Sequence, residues 1–250
     1  MKLTILGSGT AAPILNRNCA GYILEINRKK LLFDSGAGTI RRLLELKVDM
    51  FDIDYIFYTH LHNDHINDLG AIIWSNNYGG IRKRPLNLYG PYGFKKYYNI
   101  LLKKLLKPTK LYFDIYIKEL KKSEIKINNI TIKTYPVIHS STTKSVAYRI
   151  EHKDKTLVYA GDVDYCNEII EIAKNADFLL IECSLPNNKK MEGHLTPSLA
   201  GKSASKANVK TLILTHFTPE VLKTNIKKDC SKEFKGKIIL AKDKMKINIK

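Results

Sequence analysis

The chain has 250 residues, and its hydrophobic content of 44% is ordinary for a folded protein, which excludes intrinsic disorder. No apolar run approaches the roughly 20 residues that a membrane helix needs, and the 4 scattered cysteines, without a CxxC pair, argue against a disulfide framework and a cysteine-built zinc site. The formal net charge of +18 suits a polyanionic partner such as RNA, although the excess of lysine over arginine fits a general surface bias equally well.

The hydrophobic patterns predict strands and helices interspersed in both halves of the chain. Strands are predicted over Lys2–Leu6, Tyr22–Ile26, Lys30–Phe33, Tyr55–Tyr58, Leu86–Tyr89, Lys110–Ile117, Ile130–Tyr135, Ser145–Glu151, Thr156–Tyr159, Phe178–Ile181, Thr211–Leu214 and Lys237–Leu240. Helices are predicted over Gly38–Leu46, His65–Asn76, Gly93–Lys107, Glu168–Asn175, Pro197–Ala207 and Pro219–Phe234. Thr196-Pro197 and Thr218-Pro219 are helix start signals, a capping hydroxyl followed by proline.

The order of these elements indicates the fold class. Strands that mix hairpins and crossovers, with helices after each group, predict an α/β protein with two packed sheets flanked by helices. No low-complexity linker or repeat divides the chain, so residues 1–250 are expected to form one domain. The first predicted strand leads directly into Gly7 without a signal-peptide hydrophobic region, so a cytoplasmic protein without membrane contact is expected.

A run of potential metal ligands, His60-Leu61-His62-Asn63-Asp64-His65, follows the predicted strand Tyr55–Tyr58. Residues two apart in an extended chain point the same way, so His60 and His62 can converge on one ion. The adjacent pair Asp64 and His65 need not share that direction and can serve a second ion. Neutral imidazole suits zinc, and a carboxylate oxygen can both bind a metal and accept a proton from bound water.

Three further candidate ligands, His139, Asp162 and His216, also follow predicted strands, which are rigid supports. A lone histidine in such a place is usually structural, but five histidines and two acids arranged this way indicate a metal site. His152, in the polar stretch after the strand Ser145–Glu151, is expected to lie on the surface.

At these residues the sequence resembles the metallo-β-lactamase superfamily, and within it the ribonuclease Z-like branch. The resemblance covers nearly the whole chain and includes Gly7-Ser8-Gly9-Thr10, Leu32-Phe33-Asp34-Ser35-Gly36, the HxHxDH run, His139, Gly161-Asp162, Gly193-His194-Leu195-Thr196 and Leu214-Thr215-His216-Phe217. It implies a four-layer αββα sandwich. The iron-binding version of the motif would carry Glu in place of His62, and antibiotic-hydrolysing members commonly carry Cys in place of Asp162.

The resemblance also implies a ligand set for two ions. One ion would be held by His60, His62 and His139, the other by Asp64, His65 and His216, and Asp162 would bridge them. Two Zn²⁺ are expected because the set is rich in imidazole, although the carboxylates also admit Mn²⁺ or Fe²⁺. Two ions can activate a water molecule and neutralise charge on an attacked phosphorus.

Catalytic roles are predicted for two residues. Asp64, besides binding metal, is expected to orient the nucleophilic water or accept its proton. His194 resembles an additional histidine of the branch, which contacts the scissile phosphate or protonates the leaving oxygen; the alternative is a loop histidine without a role. Asp34 resembles an acid that supports the histidine loop, with a simple turn aspartate as the alternative, and the role of Glu182 stays open.

The predicted helix Gly93–Lys107 carries lysines between apolar residues. It is either an RNA-contacting face with accessory tyrosines or an amphipathic helix whose lysines are solvated.

The leading hypothesis is a zinc-dependent, ribonuclease Z-like phosphodiesterase, for which 3′-end trimming of precursor tRNA is one candidate activity. Only two strand-like stretches separate His139 and Asp162, whereas ribonuclease Z usually carries a protruding arm there that grips the tRNA elbow. The alternative is a hydrolase of the same fold that acts on a small cyclic phosphodiester, or on a thioester or lactone. A metal-free binding module is disfavoured because every ligand is present. Ribonuclease Z relatives also imply a homodimer.

Overall fold

Fourteen strands form two seven-stranded sheets in the computed structural model, which describes residues 1–80 and 82–250. The strands are β1 (Lys2–Gly7), β2 (Gly21–Ile26), β3 (Lys29–Ser35), β4 (Ile53–Phe57), β5 (Leu86–Pro91), β6 (Ile115–Leu120), β7 (Ser123–Ile127), β8 (Ile130–Val137), β9 (Ser145–His152), β10 (Lys155–Ala160), β11 (Phe178–Glu182), β12 (Thr211–Thr215), β13 (Lys237–Leu240) and β14 (Lys246–Asn248). The order is β14-β1-β2-β3-β4-β5-β6 in the first sheet and β13-β12-β11-β10-β9-β8-β7 in the second.

The helices pack against the outer faces of the sheets. They are α1 (Thr39–Glu45), α2 (Asn63–Ile66), α3 (Leu69–Tyr78), α4 (Phe94–Ile100), α5 (Asn167–Ala173), α6 (Pro197–Lys206) and α7 (Ile226–Glu233). Helices α1 to α4 contact the first sheet or the residues packed on it, and α5 to α7 contact the second. The four-layer αββα arrangement predicted from the sequence is therefore confirmed.

Strand direction decides where polar side chains can meet. Strands β3, β4, β5 and β6 are parallel in the first sheet, and β10, β11, β12 and β13 are parallel in the second. Strand β8 runs in the same direction as β10, because each pairs antiparallel with β9 between them. Loops that follow these strands therefore gather at common edges, where α/β proteins usually bind their ligands.

Aromatic side chains fill the space between the sheets. The rings of Phe33 and Phe57 stack at 5.0 Å, and Tyr148 meets both of them edge-on. Burial raises the pKa of Tyr148 and of its neighbour Tyr159, so both hydroxyls remain donors. The Tyr148 hydroxyl donates to the carbonyl of Tyr58 at 2.6 Å, which satisfies its polar end in an apolar layer.

Two edge strands and several element boundaries differ from the sequence prediction. The sequence does not predict β7 or β14, because both strands are short and lie in lysine-rich stretches of the chain, and β14 exists by pairing with the distant β1. The strand predicted over Lys110–Ile117 begins only at Ile115 and continues to Leu120. The predicted helix His65–Asn76 is divided into α2 and α3.

Two predicted helices end or begin differently. A single helix is predicted over Gly93–Lys107, whereas the structure has α4 followed by a π-helical turn, Leu101–Leu106. Lys107 then ends the helical segment with a φ of 45°. Phe94 and Tyr98 of α4 are buried, while its lysines are exposed, as an amphipathic helix with a solvated face requires. Thr218-Pro219 leads only to a short 3-10 turn, and α7 begins at Ile226 because Asn225 caps it. The Thr196 cap of α6 is confirmed, since its side chain accepts a hydrogen bond from the Leu199 amide.

The expectation of a surface position for His152 is wrong. β9 extends through His152, whose side chain is only 6% exposed. Its Nδ1 donates to the carbonyl of Asn129 at 3.1 Å, so the ring covers the β7–β8 turn.

Across the part of the chain that the structure describes, no helix combines the length and apolar character required to cross a bilayer.

Phe57→Ala is expected to lower the free energy of unfolding by about 3–5 kcal/mol, because it opens a cavity between the sheets. Chemical denaturation followed by fluorescence measures the change. Tyr116→Ala is the control: this ring is 57% exposed, and its removal should change stability by no more than about 0.5 kcal/mol. An equal decrease in the free energy of unfolding of the two variants would contradict the packing of Phe57 between the sheets.

Candidate metal centre

Potential metal ligands gather at the edge where the carboxyl ends of the parallel strands meet. His60 follows β4, His139 follows β8, Asp162 follows β10 and His216 follows β12. All four are at least 94% buried. The predicted ligands thus come from both sheets, and the tertiary fold brings them together.

His60, His62 and His139 form a first donor set. Nε2 of His139 lies 3.1 Å from Nδ1 of His62, and the ring centroids of His60 and His139 are 4.8 Å apart. The hydroxyl of Thr59 accepts from Nδ1 of His60 at 3.1 Å, which leaves Nε2 of that ring facing the set. Three imidazole nitrogens therefore converge on one point.

Asp64, His65 and His216 form a second donor set. Asp64 and His65 lie within the single turn of α2, and His216 approaches from the second sheet. Nε2 of His216 lies 3.1 Å from Nε2 of His65 and 3.2 Å from Oδ2 of Asp64. His216 has a φ of 57°, and such a left-handed backbone is uncommon outside glycine and recurs at functional sites.

Asp162 lies between the two sets. Its Oδ1 is 3.2 Å from Nε2 of His65, whereas its Oδ2 is 3.9 Å from Nε2 of His60 and 3.8 Å from Nε2 of His139. Burial alone would raise the pKa of this carboxyl, but the imidazoles of His216, His65 and His60 outweigh burial and hold it well below its usual range. Asp162 is therefore ionised, and its carboxylate faces both donor sets.

These donors fit divalent metal ions. Nε2 of His60 and Oδ1 of Asp162 are buried and make no hydrogen bond with any described residue. Burial lowers the pKa of His60 and His62, which favours the neutral imidazole that binds metal. Ligands about 2.0–2.1 Å from a tetrahedral ion lie about 3.3 Å apart, close to the separations within each set. A bound metal ion would give Nε2 of His60 and Oδ1 of Asp162 a partner. Without one, the burial of these polar atoms would be energetically unfavourable.

Asp34 holds the ring of His65 in place. Its Oδ2 accepts from Nδ1 of His65 at 2.8 Å, from the Thr59 hydroxyl at 2.8 Å and from the Tyr159 hydroxyl at 2.5 Å. The Thr59 amide donates to Oδ1 at 2.8 Å. Of the two interpretations left open by the sequence, a supporting acid and a simple turn residue, this geometry favours the first.

Glu182 supports a third group of side chains. It is buried at the end of β11, accepts from the Ser184 hydroxyl and lies 3.1 Å from Nδ1 of His194. Ser184 in turn lies 3.0 Å from Nδ1 of His216. Burial lowers the pKa of His194, but the hydrogen bond and charge of Glu182 outweigh it and raise that pKa to about 9. Glu182 therefore positions one donor and one candidate catalytic histidine.

Gly193 positions His139 by close backbone approach. Its carbonyl accepts from Nδ1 of His139 at 2.8 Å, which directs Nε2 of that ring to the donor set. A Cβ on Gly193 would lie 2.0 Å from the carbonyl oxygen of His139, and its φ of 84° also favours glycine. Asp164 holds the Gly193 amide at 2.6 Å.

Four residues that support the donor sets are not predicted from the sequence. Thr59, Ser184, Tyr159 and Asp164 belong to no metal-ligand motif, and the contacts of Ser184, Tyr159 and Asp164 are to residues far away in the chain. Two of them could have been noticed from the sequence, because Thr59 directly precedes His60 and Ser184 lies two residues after Glu182.

The donors open onto a cavity of about 270 Å³. Its lining includes metal-donor side chains, His194 and the loop after β1, and the residues are Thr10, Ala11, His62, Asp64, Asp162, Ser184, Leu185, Met191, His194, His216 and Thr218. The Ala11 amide donates to Oδ2 of Asp64 at 3.0 Å, so the segment Gly7-Ser8-Gly9-Thr10 leads directly into the wall of the site.

Comparisons with known proteins agree with this geometry. The family model described as Anti-Pycsar protein Apyc1 matches residues 1–238. The chain belongs to this family. Ribonuclease Z of Methanothermobacter thermautotrophicus is 26% identical over 303 aligned positions, which take in 100% of this chain and 97% of that protein.

Two solved structures are similar to this member of the Apyc1 family. The human short form of tRNase Z, ELAC1, has a TM-score of 0.82 and 25% identity, with 100% of both chains covered. The metallo-β-lactamase fold protein YhfI of Bacillus subtilis has a TM-score of 0.86 and 24% identity, with 98% of both chains covered. The predicted metallo-β-lactamase superfamily and ribonuclease Z-like branch are confirmed, and the chain is a metal-dependent hydrolase that uses divalent ions.

Asp34→Asn is expected to weaken metal binding about 10–100-fold, because it removes the charge that orients His65. Competition with a chromogenic chelator measures the affinity. The control is Asp154→Asn, at a side chain that is 78% exposed. Unchanged affinity in the Asp34 variant would show that this hydrogen-bond network does not support the donors.

Proposed function

We propose that the chain is a two-ion phosphodiesterase with zinc as its metal. One observation carries the proposal: two sets of donors share the carboxylate of Asp162 and face one cavity with His194 at its wall. Such a pair of sites suits an anionic ester, since it can face both the attacking and the leaving oxygen. A homodimer and a cytoplasmic location, both expected from the sequence, belong to the same proposal.

The donor sets define which residues hold each ion. His60, His62 and His139 would hold one ion, and Asp64, His65 and His216 would hold the other. Asp162 lies between the two sets, and its carboxylate would contribute to both. Zinc is favoured because the two sets contain five histidines, four of them buried, and imidazole is a ligand that zinc prefers.

When bound, the two ions would lower the pKa of a water molecule and neutralise charge on the phosphorus. Asp64 orients the attacking water. Burial opposes ionisation of this carboxyl, but the hydrogen bond and charge of His216 and the charge of His65 lower its pKa to about 2. Its Oδ2 is held by the Ala11 amide at 3.0 Å, so the carboxylate is fixed at the wall of the cavity.

His194 binds the phosphate or protonates the leaving oxygen. Its Nδ1 is held by Glu182, so Nε2 is the nitrogen left for substrate. Its ring centroid lies 5.0 Å from that of His139, beside the first donor set. The side chain is 27% exposed, which leaves it accessible from the cavity.

The compact shape of the chain favours a small cyclic phosphodiester as substrate. The segment between His139 and Asp162 is filled by β9 and β10, joined by the short turn at Lys153-Asp154. The aligned ribonuclease Z spans 303 positions against 250 residues here, so at least 53 of those positions have no counterpart in this chain. A cavity of about 270 Å³ also suits a small molecule better than a folded RNA.

Trimming of precursor tRNA is the second candidate activity. The name of the aligned relative, ribonuclease Z, and the net charge of +18 favour it. The donor sets suit this chemistry equally well, so substrate recognition is what separates the two candidates.

His194→Ala is expected to retain two metal ions per chain but to lower kcat by about 100-fold or more, because it removes a contact made to the reacting phosphate. Elemental analysis measures the metal, and hydrolysis of bis(p-nitrophenyl) phosphate measures turnover. His152→Gln is the control, since this histidine ends β9 and its ring contacts the β7–β8 turn and belongs to neither donor set. Full activity in the His194 variant would refute its role.

Substrate choice can be measured with metal-loaded protein on three substrates: a 3′,5′-cyclic nucleotide, bis(p-nitrophenyl) phosphate and a 3′-extended precursor tRNA. Hydrolysis of the first two, lost in His65→Ala, is the expected result. Site-specific cleavage of the tRNA near its acceptor stem, also lost in the control variant, would instead support the second candidate. Hydrolysis of none of the three would overturn the proposal of a phosphodiesterase.

A further inference from the structure

The helical layer over the first sheet carries positive charges without counter-charges. Residues 93–113, which include α4 and the π-helical turn, contain no aspartate or glutamate, and all of their lysines are exposed. These lysines are Lys95, Lys96, Lys103, Lys104, Lys107 and Lys110. None of them forms an ion pair with a residue that the structure describes. We name the exposed side chains of residues 93–113 the lysine face.

Exposed aliphatic side chains lie among these lysines. Ile100 is 48% exposed and Leu105 is 71% exposed. Lys96, Ile100 and Lys104 are spaced four residues apart, so they lie on one side of the helical segment. All three line a groove of about 670 Å³. The lysine face therefore offers cations and apolar groups on the same side of one element.

Glu119 is the one acid in the lining of this groove. Its Oε1 accepts from the amides of Gly93 and Lys95, both at 2.9 Å, so the carboxylate caps the start of α4. Because Glu119 is engaged in this way, the lysine side chains stay free to meet an anionic partner.

Helix α3 extends the same surface without adding charge. It packs beside the π-helical turn, since a Cβ on Gly70 would lie 3.4 Å from the Leu101 side chain. None of its residues, Leu69–Tyr78, has a charged side chain. Trp74 is 42% exposed and Tyr78 is 47% exposed, and the centroids of their rings are 4.7 Å apart.

Asn77 fastens the end of α3 to the end of the lysine face. Its Nδ2 donates to the carbonyl of Lys110 at 2.8 Å, and its Oδ1 accepts from the amide of Tyr112 at 2.9 Å. The Tyr112 ring is 50% exposed, and Nζ of Lys110 lies 5.4 Å from its centroid. The aromatic and cationic side chains are thus held on one continuous surface.

We propose that the lysine face, together with Trp74, Tyr78 and Tyr112, binds the surface of a membrane that contains anionic lipids. Unpaired lysines are attracted to anionic headgroups. Tryptophan and tyrosine favour the level of the headgroups, and exposed aliphatic side chains can enter the boundary with the acyl chains. The expectation of no membrane contact rested on signals for crossing a bilayer, whereas this face would lie on its surface.

RNA and a second copy of the chain fit this surface less well. Residues 93–113 contain no arginine, the side chain whose planar fork suits a phosphate backbone. Ile100 and Leu105 offer no flat surface on which a base could stack. A symmetric contact between two copies would bring the same lysines together, and like charges repel.

Cosedimentation with lipid vesicles tests the proposal. The metal-loaded protein should bind vesicles of equal parts phosphatidylcholine and phosphatidylserine but not vesicles of phosphatidylcholine alone, and added salt should weaken the binding. The combined change Lys96→Gln, Lys103→Gln and Lys104→Gln should weaken it about 100-fold. None of the three lysines lines the cavity at the metal donors, so metal content should not change.

The matched control has the same change of charge on the opposite side of the molecule. It combines Lys223→Gln, Lys227→Gln and Lys228→Gln, at exposed lysines on or next to α7. This variant should retain most of the vesicle binding. Equal weakening in the two triple variants would show that only the net charge matters, and binding by neither chain nor variant would also overturn the proposal.

Trp74 reports whether this surface touches the lipid, because it is the one tryptophan of the chain. Its fluorescence emission should shift to shorter wavelengths on addition of the mixed vesicles, and lipids brominated in the acyl chains should quench it. Sedimentation with the vesicles without any change in emission would place the contact elsewhere and overturn the assignment.

Ile100→Ser with Leu105→Ser tests the apolar part of the face. The double variant should bind the mixed vesicles more weakly, whereas Leu222→Ser, at a side chain that is 37% exposed beside α7, should bind as the unmodified protein does. Circular dichroism checks that each variant is folded.

Two further measurements address the other partners. Sedimentation velocity of the Ile100 and Leu105 double variant should show an unchanged oligomeric state; a smaller particle would instead assign the face to an interface between copies. Binding of a single-stranded RNA by the lysine variants should match that of the unmodified protein. Loss of RNA binding without any vesicle binding would overturn the membrane proposal in favour of RNA.

Discussion

The buried carboxylate of Asp34 is the interaction on which the metal centre depends most. It lies at the end of β3, in a left-handed conformation with a φ of 54°. From there it binds the amide and hydroxyl of Thr59 in the first sheet and the hydroxyl of Tyr159 in the second. The same carboxylate orients His65. An uncompensated charge in this layer would be costly, so the four hydrogen bonds both stabilise the junction of the sheets and direct an imidazole.

Glu182 plays a corresponding part at the end of β11. It contacts Ser184 and His194, and Ser184 extends the network to His216. One buried acid in each sheet thus supports one histidine of the second donor set, directly in the first sheet and through a hydroxyl in the second. The geometry of the metal centre therefore depends on residues that are not themselves candidate metal ligands. It also joins His194 to the donor His216 through Glu182 and Ser184.

The surface of the protein has two chemically different parts. The cavity contains the donors and His194, whereas the lysine face carries cations and exposed apolar side chains. Asn77 joins that face to the uncharged α3 by its hydrogen bonds to Lys110 and Tyr112.

The sequence by itself determined the αββα class and the candidate ligands, because buried strands have strong apolar patterns and the HxHxDH run is local. It could not reveal β14, whose pairing with β1 spans nearly the whole chain. Nor could it decide between surface and interior for His152, since burial there depends on Asn129 from another hairpin. The support of His65 by Asp34, the link from Glu182 to His216 and the contact of Asn77 with Lys110 were decided only by the tertiary structure. Each joins residues from elements far apart in the chain, and hydrogen bonds between such residues leave no periodicity in the sequence.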